Sequence, residues 1–341
     1  MGNMVLDVSI DGSELASVGE SAARAEALGL AGLWTSEIKH DPFLPLVPAA
    51  LATSRINLGT SVALAFPRSP AVTAYTAFDL ARVSHARFIL GLGTQVKAHI
   101  ERRFAAEWGP PVEKLRDYIG AVRALWQCWQ TGERLRYESR HYNLKMMTPF
   151  FSPDPLPFAP PPVYIAGVNT GLAVLAGEVC DGFQVHPFHT VRYLEEVIMP
   201  SISRGAEIAG RAPGSVTLQG SLFVVIGQGV ARDMMREEVR RQIAFYASTP
   251  SYRTLLALHD WEETGEQLTA LAGRGRWERM GGLITDEMLD HFAVEAETLA
   301  GVARAAKERY KRLLNRICFY LPFVPDERDE EWEAAAELIA G

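Results

Sequence analysis

Cysteine is scarce: Cys128, Cys180 and Cys318 are the only three in 341 residues, far apart and odd in number. That argues against a disulfide framework or a cysteine-built metal cage. Each lies in apolar sequence, so we expect reduced core residues of a cytoplasmic protein. Positive charge is also short. Against 41 acidic side chains stand 34 basic ones, a net charge of −7, which disfavours nucleic acid or an anionic membrane as partner. Long apolar runs are missing, each being broken by Gly, Pro or charge within about ten residues, so no membrane span is expected. The start, MGNMVLDVSIDG, lacks a basic flank before an apolar stretch and leads straight into a strand, so we expect neither a secretory signal nor myristoylation. The Gly-x-Ser-x-Gly elbow and the P-loop are absent, which sets aside serine-hydrolase and ATPase readings.

What is present is a regular alternation. Apolar residues make up 48%, enough for a sizeable core. Strands are expected over Val5–Ile10, Gly32–Ser36, Ile56–Leu64, Arg87–Leu92, Val163–Ala166, Gly182–His186, Val216–Ile226 and Ile317–Leu321. Helices are expected over 14–28, 45–53, 70–83, 114–129, 172–180, 193–210, 295–315 and 330–339, with 232–275 largely helical. Leu115, Ile119, Val122, Trp126 and Trp129 form a 3.6-residue stripe that reads as core. Such alternation implies a parallel sheet, and at this length a closed (β/α)8 TIM-type barrel in one domain, 1–341. A doubly wound open sheet is the alternative, disfavoured because no Gly-x-Gly-x-x-Gly follows the first strand. Two insertions interrupt the barrel. One, at about 134–162, holds a hairpin and seven prolines between Pro149 and Pro162; the other is helical, at about 232–280.

Barrel chemistry sits at the C-terminal ends of strands. The sharpest feature there is Pro162-Val-Tyr-Ile-Ala-Gly-Val-Asn-Thr-Gly171, a strand, a tight turn and a helix start. Gly167, Asn169 and Gly171 would bring backbone N–H groups and the positive helix end to one spot, suiting an anionic ligand; an ordinary strand-to-helix turn is the bland alternative. Other strand ends offer Asp7 or Ser9, Glu37 with His40 and Asp41, Ser61-Val62-Ala63, Gly93-Thr94-Gln95, and His186 with His189. Glu37 and His40 could form an acid/base pair, and His186 could line the site. His99, a turn beyond Gln95, could face a ligand. His186 and His189 lack a third ligand at fixed spacing, so no metal is expected.

Five motifs carry a family resemblance in order: Leu33-Trp-Thr-Ser-Glu37; Ile56-Asn-Leu-Gly-Thr-Ser-Val62 with Arg68-Ser-Pro70; Arg87-Phe-Ile-Leu-Gly-Leu-Gly-Thr94; Val163-Tyr-Ile-Ala-Gly167; and Leu175-Ala-Gly-Glu-Val-Cys-Asp-Gly182. Together they resemble the luciferase-like monooxygenase superfamily, most closely its F420-dependent oxidoreductase branch. The resemblance implies a TIM-type barrel, a homodimer built on the 70–83 helix, and coenzyme F420, with FMN as the alternative. It implies hydride transfer to or from a small organic substrate; an FMN-dependent monooxygenase and a non-catalytic cofactor-binding protein are the alternatives. By the same resemblance Ser61, Val62 and Ala63 form a bulge behind the ring, often with a non-prolyl cis peptide. Gly93, Thr94 and Gln95 meet the ring edge, while Ala166, Gly167, Val168, Asn169 and Gly171 hold the ribityl and phosphate part. Two positions depart from the glucose-6-phosphate dehydrogenases of that branch. Ile38 stands where they carry His, and Val96 where they carry an acid, so neither their proton donor nor their substrate carries over.

Overall fold

Eight parallel strands hydrogen-bond side by side and the last closes on the first. They are β1 (Val5–Ser9), β2 (Gly32–Thr35), β3 (Asn57–Thr60), β4 (Phe88–Gly93), β5 (Val163–Gly167), β6 (Gly182–Val185), β7 (Thr217–Ile226) and β8 (Arg316–Pro322). The pairings run β1–β2–β3–β4–β5–β6–β7–β8 and back to β1, giving the expected (β/α)8 barrel. The computed structural model describes residues 4–341; the myristoylation reading at Met1-Gly2-Asn3 falls outside them.

Local sequence explains the surrounding helices. In α1 (Leu15–Ala27) the buried residues Val18, Ala22 and Ala25 recur at helical spacing. After α2 (Leu46–Ala52) comes α3 (Pro70–Val83), which starts where Ser69 accepts a capping bond from the Ala71 N–H, with Pro70 in its first turn. The 21-residue α4 (Pro111–Thr131) stops at Gly132, whose φ of 73° closes the helix. Its tryptophans are core, and Trp126 donates to the Ala74 carbonyl of α3 at 3.0 Å. The barrel continues with α5 (Thr170–Val179), α6 (Met199–Ile208), α7 (Gly229–Ala247), α8 (Leu299–Tyr310) and α9 (Asp329–Ala340).

Four segments differ from expectation. The third strand is not the continuous run read over Ile56–Leu64 but carries the bulge that the resemblance implied: β3 stops at Thr60, a cis peptide joins Ser61 to Val62, and only Ala63–Leu64 resumes pairing, with β4. The 193–210 helix is interrupted by a wider turn at Leu194–Ile198 before α6. Pro200 lacks the N–H that an α-turn there requires. The 232–275 stretch breaks around Pro250 into α7 and two shorter helices, Arg253–Leu258 and Glu262–Gly273. Finally, Glu295 opens no helix. Ala293–Ala296 is a strand pairing with the long C-terminal half of β7, and α8 starts only after Thr298, whose side chain caps the Gly301 N–H.

The barrel interior is closed at its N-terminal end by charge. Asp7, fully buried, accepts from Arg316 Nε at 2.8 Å and Nη2 at 2.7 Å, and from Trp34 Nε1 at 2.9 Å. Arg316 also donates to Asn57 at 3.1 Å. Arg316 and Asn57 each open their strands, so Asp7, which sequence order offered as a strand-end candidate, belongs to the floor of the barrel and not to its mouth. Gly32 makes room for the pair, since a Cβ there would stand 2.6 Å from both Arg316 Nη2 and Asp7 Oδ1. Burial works against the Arg316 charge, yet Asp7 outweighs it and its pKa lies above the ordinary value. Asp7→Asn removes one charge and strands the other, so we expect a loss of about 3–5 kcal/mol in urea unfolding. A change within about 0.5 kcal/mol, as at an ordinary surface site, would show that the pair is not what closes the barrel.

Candidate functional site

The first part of the mouth lies over β2, β3 and β4. Ser61 donates its N–H to the Thr35 carbonyl at 2.7 Å, and Glu37 donates its N–H to the Val62 carbonyl at 3.2 Å, so the bulge is stitched to the β2 exit. Glu37 Oε2 accepts from the Leu64 N–H at 2.7 Å and from Arg68 Nη1 at 2.6 Å. Arg68 Nη2 reaches Asp41 at 3.0 Å. Burial opposes the Arg68 charge, but Glu37 and Asp41 together set its pKa above the ordinary value. Opposite the bulge, Gly93 is the residue that admits Val62, because a Cβ there would stand 2.5 Å from Val62 Cγ2. Ala63 is buried and pairs with Leu92.

Around this rim the remaining candidates are looser. Thr94 and Gln95 are half-buried, and Gln95 takes a positive φ of 57° while its side chain accepts from the Val96 N–H at 3.0 Å. His40 and His99 are exposed.

The second part is the turn from β5 to α5. Ala166, Gly167 and Val168 are half-buried and Asn169 is exposed. Tyr193 donates to the Val168 carbonyl at 2.8 Å and fixes the turn. Asn169 sits at the N-cap position with extended backbone, yet its side chain makes no capping bond. First-turn N–H groups have no intrahelical partner, so this helix start presents donors and positive potential at a partly open surface. Gly171 is open on its Cβ side except for Val112 at 3.0 Å.

His186 stands just beyond β6, and a small cavity bounded by Gly167, Val168, His186 and His189 joins it to the turn. Phe188 donates its N–H to His186 Nδ1 at 3.0 Å. That bond assigns the ring proton to Nε2, which lies 3.2 Å from the Tyr252 hydroxyl. His189 Nδ1 meets the His186 carbonyl at 2.8 Å, so this histidine is tied to the backbone beside His186. Among the described residues no group of His, Cys, Asp and Glu could hold a metal ion.

Sequence reading missed three contributors. Arg68 was visible only as part of a motif, since nothing in its neighbourhood announces a partner 31 residues back. Tyr246 and Tyr252, whose rings lie 4.5 and 5.3 Å from His186, sit at the end of α7 and in the turn after it, where no strand end marks them.

The polar turn, the bulge and His186 lie at the C-terminal mouth of the parallel barrel, the end at which barrel enzymes carry their sites. The chain belongs to the luciferase-like monooxygenase family, whose model matches residues 5–339. A Mycobacterium tuberculosis protein of undescribed activity is 43% identical over 316 residues, covering 91% of this chain and 92% of its own. The F420-dependent glucose-6-phosphate dehydrogenase of Amycolatopsis mediterranei is 31% identical over 208 residues, 56% of this chain and 59% of that one. Among solved structures, the coenzyme F420 dependent tetrahydromethanopterin reductase of Methanopyrus kandleri superposes with a TM-score of 0.76 at 20% identity, covering 99% of this chain and 98% of that one.

Burial pushes the His186 imidazole down to about 3 and that of His189 down to about 4, so both are neutral in the folded protein near neutrality. In the unfolded chain each binds a proton below about pH 6.5, so their contribution to stability is complete above that pH and is lost as pH falls towards the folded values. The slope is up to about 1.4 kcal/mol per pH unit for each ring. In NMR we expect both imidazole signals to stay flat between pH 8 and 5; a midpoint near 6.5 for either would contradict its burial.

Proposed function

We propose that the protein is an F420-dependent oxidoreductase moving a hydride between the deazaflavin coenzyme and a small organic substrate. The observation carrying this reading is the start of α5, an uncapped and partly open helix N-terminus beside Gly167 and Gly171. It fits the phosphate of a nucleotide-like cofactor. The Ser61–Ala63 bulge, held to the β2 exit by the Thr35 and Glu37 backbone, would lie behind a flat ring. The named activities of the Amycolatopsis and Methanopyrus proteins support F420 over FMN. An FMN-dependent monooxygenase on the same barrel is the second reading, and a non-catalytic cofactor-binding protein the third.

In this proposal Ala166, Gly167, Val168, Asn169 and Gly171 hold the phosphate and ribityl part. Ser61, Val62 and Ala63 back the ring, while Gly93, Thr94, Gln95 and His99 flank it. When bound, the deazaflavin supplies the carbon that gives or takes the hydride. The protein must then move a proton at the substrate oxygen or nitrogen, and Glu37, His40 and His186 are the candidates. Glu37 can serve only through Oε1, because its Oε2 is taken by Leu64 and Arg68. His186 is neutral, with Nδ1 accepting from Phe188 and Nε2 engaged with Tyr252, so it would act on a substrate only through the Tyr252 hydroxyl.

The proposal extends to architecture and setting. Residues 1–341 are taken as one domain with insertions near 134–162 and 232–280. The three cysteines are free and buried, in keeping with a reducing cytoplasm. No helix among the described residues is long and apolar enough to cross a membrane. A homodimer is proposed through α3, where Val72 is 58% exposed and Tyr75 bonds at 2.6 Å to the carbonyl of Phe151, itself 60% exposed.

Two measurements test these readings. Titrating F420 and FMN separately against tryptophan fluorescence should show saturable binding of F420, weakened about tenfold or more in Asn169→Asp, which caps the helix and repels phosphate at once. Preference for FMN, or indifference to Asn169→Asp, would overturn the assignment. Light scattering should give twice the chain mass of 37.6 kDa at micromolar concentration, and Val72→Asp should return one chain mass; a monomeric wild type sinks the dimer.

A further inference from the structure

Six side chains from five separate segments converge beside the candidate mouth. His186 and Phe188 follow β6, Phe223 lies on β7, Tyr246 in the last turn of α7, Tyr252 in the short turn Pro250–Tyr252, and Tyr320 on β8. Their rings form a continuous wall. Centroids are 4.5 Å apart for His186 and Tyr246, 5.0 Å for Phe188 and Tyr252, and 5.4 Å for Phe223 and Tyr320. Edge-to-face angles of 81–82° mark these three contacts as packed rather than incidental.

The wall has polar tips and no charge. Because Phe188 N–H occupies His186 Nδ1, the His186 Nε2–H is the donor to Tyr252, and the phenolic proton of Tyr252 remains for another acceptor. Tyr246 and Tyr320 hydroxyls lie 3.0 Å apart, so one proton bridges them and the other points elsewhere. Tyr320 is 41% exposed, and Tyr246 and Tyr252 are half-buried, so these tips border solvent. Burial, His189 and the neighbouring tyrosines are what shift His186, Tyr246 and Tyr252; no Lys, Arg, Asp or Glu among the described residues contributes.

We propose that this wall is the substrate-recognition surface, and that it takes an uncharged compound with an apolar body and one carbonyl or hydroxyl oxygen, to which Tyr252 and the Tyr246–Tyr320 pair donate. A sugar phosphate or other anion would find no cationic side chain among the six residues of the wall to replace its lost hydration. The inference rests on the oxidoreductase reading for why a substrate binds at this mouth, but its binding chemistry is tested separately.

The test uses 2-acetonaphthone, a neutral aromatic ketone, and glucose 6-phosphate, each titrated by calorimetry into the full chain with and without F420. The ketone should bind, and the phosphate should bind at least about tenfold more weakly. Tyr252→Phe and Tyr320→Phe, which keep the rings and remove single hydroxyls, should each weaken the ketone about tenfold, with circular dichroism and F420 affinity unchanged. Glucose 6-phosphate binding as tightly as the ketone, or ketone binding indifferent to both substitutions, would overturn the proposal. Failure of the cofactor reading looks different: F420 would not bind at all, while the ketone still bound in a tyrosine-dependent way.

Discussion

The Asp7–Arg316 pair is the interaction on which the barrel depends. A closed sheet needs its last strand to return to its first in a fixed register, and hydrogen bonds along parallel strands do not by themselves choose one. A buried carboxylate at 2.7 and 2.8 Å from a half-buried guanidinium does, because any slip of β8 against β1 would leave the Asp7 charge unpaired in the core. Trp34 and Asn57 extend the same contact to β2 and β3, so four strands share one polar knot at the barrel floor. The opposite end is thereby free of closing duties and can carry loops that bind.

At that end a second ion pair does a comparable job on a smaller scale. Arg68 bridges Glu37 and Asp41, and Glu37 in turn holds the Leu64 N–H directly after the bulge. The side chain that sequence puts forward as an acid/base group is thus also a brace for the proposed ring support. Any loss of activity on changing it has two possible origins, displaced cofactor or missing proton transfer, and only separate measurements of cofactor affinity and kcat divide them. His186 has a similar double character, being neutral, packed between tyrosines and wired to one of them.

The mouth therefore has two unlike halves. Backbone donors and positive helix potential gather at the start of α5, while neutral rings gather over β6, β7 and β8. Anionic and apolar portions of a bound assembly would sort themselves between these halves, the first towards α5 and the second towards the tyrosines.

Much of the fold was legible in sequence because its signals are local. The spacing of Val18, Ala22 and Ala25, Pro70 after Ser69, and Gly132 after Thr131 each fix a helix or its end through contacts within a few residues. The turn from β5 to α5 was legible for the same reason, glycines beside a helix start being a short-range pattern. The strand at Ala293–Ala296 was not, because four residues too few to show a period are ordered only by the overhang of β7. Nor could sequence show that Asp7 lies at the floor, that Arg68 holds Glu37, or that tyrosines from the end of α7 and the turn after it surround His186. Sequence by itself determined the alternation of elements and so the barrel, since hydrophobic period and turn chemistry act along the chain. Tertiary structure alone decided which charges are paired and which rings meet, because Asp7 and Arg316, 309 residues apart, become neighbours only when the barrel closes.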